Sequence, residues 1–123
     1  MKKEKTKEQR IKDEERRLNK IFSDEKDSKK LKVIQGLIQR AAYMRVTLED
    51  YEKDINENGS TEKFSQGDQE PYDRKRPVAD LYNTMNTAYQ KIMKQLTDLI
   101  PEEKKKETDA FMDFIGGDGN AGN

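Results

Sequence analysis

Apolar side chains recur along this chain at helical spacing, most regularly over residues 77–101, PVADLYNTMNTAYQKIMKQLTDLIP. At about 100° per residue, Val78, Leu81, Tyr82, Met85, Ala88, Tyr89, Ile92, Met93, Leu96, Leu99 and Ile100 fall within an arc of roughly 140°. Pro77 stands where a first-turn proline loses no intrahelical bond, and Pro101 forbids continuation past Ile100, so the pattern predicts one helix of about six turns. Its opposite face, from Asp80 to Asp98, holds only four charges in a chain that is 41% charged. Asn and Thr are indifferent helix formers. That face is therefore either a contact with another subunit or a neutral solvent face.

A second helix is expected over residues 29–57. Leu31, Ile34, Leu37, Ile38, Ala41, Ala42, Met44, Leu48, Tyr51 and Ile55 spread over about 180°, wider than one neighbour needs, so two sides should be covered. Asp27 and Ser28 are placed to cap its start, and Asn58 or Gly59 to close its end. Arg45 projects from within the stripe with Glu49 at i+4 and Glu52 at i+7, a setting for an ion pair. Upstream, Ile11, Leu18, Ile21 and Phe22 are the only large apolar residues after Met1 in the first 22. This predicts fraying over residues 1–9 and a helix over 10–22 that needs a tertiary partner.

The connector, residues 60–76, is too long for a plain helical-hairpin turn, and Phe64 and Tyr72 should pack part of it back onto the helices. Arg74, Lys75 and Arg76 then reach the entrance of the third helix, where cations oppose the helix dipole and so suit phosphate better than helix stability. The fold class that follows is all-α: a long helical hairpin with a charged N-terminal helix and a flexible C-terminal tail. Three regions are delimited: 1–22, a basic arm; 23–101, the helical core with its connector at 58–76; and 102–123, the tail.

Composition narrows the function. A chain of 123 residues with 31% hydrophobic content forms one domain with little core of its own, which favours oligomerisation. No apolar run is long enough to span a bilayer and no signal peptide is evident, so an intracellular protein is expected. Without Cys or His, thiolate nucleophiles, imidazole bases and the usual zinc sites are excluded, and no enzyme activity, metal or cofactor is expected. Asp50 and Asp54 are i, i+4 neighbours, but hard cations want six or more oxygens and Lys53 lies beside them. The zero net charge hides a gradient: residues 1–22 carry nine cations against five acids, and residues 102–123 carry three against six. A basic start suits a polyanion, although such a run can equally be a solvated face.

Two segments, GLIQRAAYMRVTLEDYEKDINENG (residues 36–59) and EPYDRKRPVADLYNTMNTAYQKIMKQLTDLIP (residues 70–101), together resemble the small subunit of bacteriophage terminase, in the family common among tailed phages and prophages of Gram-positive bacteria. The resemblance covers about half of the chain. Its most specific parts are the acidic helix end running into Asn58-Gly59, the Arg-Pro opening followed by Leu81-Tyr82-Asn83, and the closure from Leu96 to Pro101. It implies a homo-oligomeric helical ring in the bacterial host's cytoplasm. Such a ring recognises the packaging site on double-stranded viral DNA and delivers it to the large terminase subunit, which holds the ATPase and nuclease.

Within this reading the expected DNA contacts are Lys29, Lys30, Lys32 and Arg40, with Arg74, Lys75 and Arg76 as a second cluster. In the tail, Phe111, Met112, Phe114 and Ile115 sit among acids between flexible segments, as a peptide does that folds onto a partner, here the large subunit; the alternative is a helix covering the protein's own core. A different class of function remains open, a helical adaptor or scaffold that binds only protein. Neither reading calls for a membrane or a small-molecule substrate.

Overall fold

The computed structural model describes residues 4–102. They form, in order, α1 (Lys7–Ile21), α2 (Ser28–Asn58), β1 (Thr61–Phe64), β2 (Tyr72–Lys75) and α3 (Pro77–Asp98). The protein is mostly helical. The tail segment with Phe111, Met112, Phe114 and Ile115 lies outside the described residues.

Helix α1 starts at Lys7, inside the stretch expected to fray. The reason is a capping box: the Thr6 hydroxyl accepts from the Gln9 amide at 3.1 Å while the Gln9 side chain accepts from the Thr6 amide at 2.9 Å. Helix α2 begins where the caps indicated, with Asp27 accepting from the amides of Lys29 and Lys30, and closes on Gly59 at φ 82°. Only glycine takes that conformation without strain. Pro77 opens α3, and Leu99 caps it after Asp98, slightly short of the expected end at Ile100.

The broad apolar surface of α2 is covered from two sides, as its width required. Asn19 with Gln35 at one end and Arg10 with Asp50 at the other set α1 antiparallel to α2. Tyr82 with Glu52 and Tyr89 with Arg45 do the same for α3. The three helices share one core, Leu18, Phe22, Ile34, Ile38, Ala41 and Leu96, flanked by Leu37, Ile92, Met93, Leu99 and Ile100.

The connector corrects the all-α expectation. It folds into an antiparallel two-stranded hairpin in register Thr61↔Lys75, Glu62↔Arg74, Lys63↔Asp73 and Phe64↔Tyr72. Opposite charges face each other at the two central pairs, each adding a few tenths of a kcal/mol. Phe64 and Tyr72 meet edge to face, with ring centroids 5.8 Å apart. An isolated hairpin is marginal in water, and this one is anchored at its base by Arg76, whose amide donates to Ser60 O at 2.8 Å.

Two stability effects follow. Leu18 is the fully buried residue of α1, so Leu18→Ala should cost about 3 kcal/mol in urea unfolding, whereas Leu81→Ala, at a side chain 54% exposed, should cost less than about 0.5. Thr47 is buried with its Oγ1 unpartnered, so the near-isosteric Thr47→Val should stabilise by about 1 kcal/mol in the same measurement.

Candidate nucleic-acid interface

Residues 28–48, two thirds of α2, contain five cations, Lys29, Lys30, Lys32, Arg40 and Arg45, and no acid. The other long stretch without an acid, residues 81–97, holds only two cations, Lys91 and Lys94, so residues 28–48 stand out by their number of cations. The first turn of α2 holds no acid and two lysines, with the dipole met by the Asp27 carboxylate at the N-cap.

The helix sorts these five cations. At about 100° per residue, Lys29, Lys32, Val33, Gly36, Arg40 and Tyr43 share a solvent-facing arc of roughly 100° and span about 21 Å along the axis. All six are exposed. Lys29, Lys32 and Arg40 have no ion-pair partner among the described residues. Lys30 turns off this face and pairs with Glu25 at 3.3 Å. Arg45 is engaged by neighbours: its guanidinium lies 3.6 Å from Glu49, 4.0 Å from Glu14 and 3.5 Å from the Tyr89 hydroxyl. Glu52, which the spacing offered to Arg45, instead accepts from the Tyr82 hydroxyl at 2.9 Å.

Two residues join this face that the sequence alone did not single out. Tyr43 is half-exposed at its far end, and the Lys7 ammonium sits 4.8 Å from the centre of its ring. This brings a fourth cation from α1 to the stripe. The heptad from Gly36 to Tyr43 was the signal for the tyrosine; nothing local in the sequence marks Lys7.

The second basic cluster is engaged within the fold. Arg74 stacks 3.7 Å from the centre of Phe64 and pairs with Glu62 at 2.7 Å. Lys75 reaches Asp80 at 3.1 Å, an acid on the first turn of α3 that also suits the dipole. Arg76 donates to Gly59 O at 2.7 Å and to both oxygens of Asp54 at 2.9 and 3.1 Å. It thereby clasps the end of α2 to the start of α3. Arg74, Lys75 and Arg76 thus have structural partners that Lys29, Lys32 and Arg40 lack.

No family model, no curated protein and no solved structure matches this chain. Among the described residues, no helix is long and apolar enough to cross a membrane and no group of three or more acids is placed to hold a metal ion.

The clasp makes stability depend on pH. Hydrogen bonds from the Asn58 amide and the Arg76 guanidinium hold the Asp54 carboxyl below its ordinary value. A carboxylate depressed in the folded state stabilises the fold above its unfolded pKa of about 3.9, and that stabilisation is lost as pH falls through the folded value. In Asp54→Asn the difference in urea midpoint between neutral pH and about pH 2 should be smaller than in the wild type, with the variant already weaker at neutral pH.

Proposed function

We propose that this chain is a DNA-recognition subunit of a phage genome-packaging machine, of the small terminase subunit type, which binds duplex DNA along the outer face of α2. The observation that carries the reading is the face of α2 holding Lys29, Lys32 and Arg40 exposed and without an ion-pair partner among the described residues. An exposed cation that finds no acid among the described residues is available for phosphate. Lys29 and Lys32, without an ion-pair partner among the described residues near the start of α2, suit a polyanionic partner.

The reading includes self-association and delivery of DNA to a large ATPase-nuclease subunit. What supports self-association is the thinness of the core at one end of the molecule. On α2 the last buried residue is Leu48, and on α3 the one buried residue is Leu96. Between them Tyr51, Ile55, Val78, Leu81, Tyr82 and Met85 are half-buried or exposed. A second copy packing there would cover them, and head-to-tail contacts of this kind close into rings when the rotation allows.

The test is fluorescence anisotropy with a short mixed-sequence DNA duplex across a salt series, alongside light scattering on the same samples. Wild type should lose affinity steeply with salt, since each phosphate neutralised contributes a slope of about −0.9 in log K against log salt. Lys29→Glu, Lys32→Glu and Arg40→Glu combined should abolish binding and leave the oligomer intact. Arg74→Glu with Lys75→Glu should change affinity far less. Wild type that shows no binding at low salt overturns the DNA reading and leaves a protein-only adaptor.

A further inference from the structure

Gly36 lies in the interior of α2, eight residues after its first, where glycine costs roughly 1 kcal/mol relative to alanine. Three ordinary reasons for a helical glycine are absent. It is not a cap, its φ is not positive, and a methyl group built on its Cα would meet nothing within 4 Å. The fold itself therefore gains nothing from the missing side chain. The bare Cα is open to solvent on the face where Gly36 sits, and so is available to something outside the fold.

That face identifies the chemistry. Lys32 lies one turn before Gly36, Arg40 one turn after and Lys29 two turns before, all exposed and unpaired, with Tyr43 two turns on and capped by Lys7. We infer that Gly36 is the point of closest approach of a DNA sugar-phosphate backbone to α2. There the bare Cα lets the helix seat against the strand while the flanking cations and the Tyr43 hydroxyl reach phosphate oxygens. This rests on the DNA-binding reading above and adds to it a residue that carries no charge and makes no side-chain contact. A helix of a second copy could also use a bare Cα; an equivalent face would bring Lys29, Lys32 and Arg40 against their own kind, where like charges repel, and a head-to-tail contact through this face would change oligomer size once Gly36 is filled.

Because phosphate contacts position rather than specify, the effect should be independent of DNA sequence. The experiment compares wild type, Gly36→Ala and Gly36→Leu, all as the full chain, for thermal stability, oligomer size and affinity for the same duplex at fixed low salt. The expected result splits the readouts. Tm rises by a few degrees in Gly36→Ala, as a helix gains from the better residue. DNA affinity falls by roughly tenfold, about what losing a charge-assisted hydrogen bond produces, and falls further in Gly36→Leu. Oligomer size stays as in wild type.

Unchanged affinity in both variants, with wild type binding and the triple cation reversal not binding, overturns the role of Gly36 while leaving the DNA reading standing. A change in oligomer size on Gly36→Ala assigns the face to a second copy and overturns the inference. Failure of wild type to bind duplex overturns both readings together.

Discussion

The packing of Leu18 and Phe22 against Ile34, Ile38 and Leu96 is the constraint on which every other relation in the molecule depends. Helix α1 carries too few apolar residues to persist alone, so its existence beyond the capping box is conditional on this contact. Once Leu18 is seated, the antiparallel course of α1 is set, and Arg10 is delivered to within 3.1 Å of Glu49 and 2.7 Å of Asp50. Those exposed ion pairs add little; they follow from the hydrophobic contact rather than create it. The same seating pins the C-terminal turns of α3 to the N-terminal half of α2.

A chain of zero net charge builds a polar asymmetry on this frame by segregating its charges along α2. The acids of that helix begin at Glu49 and are used at once: Glu49 and Asp50 hold Arg10, Glu52 holds Tyr82, Asp54 holds Arg76. The cations of its N-terminal half have no such employment on the outer face. Net charge therefore says little about what this surface attracts, because the field near α2 is set within a Debye length of about 10 Å by whichever charges remain unpaired.

Much of the helical architecture was legible in the residues. The apolar width of α2 called for two neighbours, and α1 and α3 supply them; Asp27, Gly59 and Pro77 sit at the boundaries they signalled. The hairpin was not legible, because four-residue strands such as TEKF and YDRK alternate no more clearly than a polar loop does, and what joins them is pairing across a gap: Glu62 with Arg74, Lys63 with Asp73, Phe64 with Tyr72. The candidate interface was half legible. Lys29, Lys32 and Arg40 could be placed on one face by spacing alone. That Lys30 pairs with Glu25, or that Arg74, Lys75 and Arg76 each meet an acid, depends on where the chain turns, and periodicity carries no information about that.

Helix α1 spans 15 residues and α2 spans 31, and α1 reaches along its partner only as far as Glu49 and Asp50, which Arg10 engages. Past Asp50, where Arg10 makes the last α1 ion pair, the turns of α2 rest on α3 alone. Opening free energy is graded wherever burial is graded, and the backbone amides of residues 51–58 should exchange with solvent through small local openings while those around Ile34 and Ile38 wait for the whole molecule to unfold. The protein is consequently firm at the end that presents its basic face and compliant at the end that carries the hairpin. A neighbour pressing on the hairpin end could reshape it without altering the spacing of Lys29, Lys32 and Arg40.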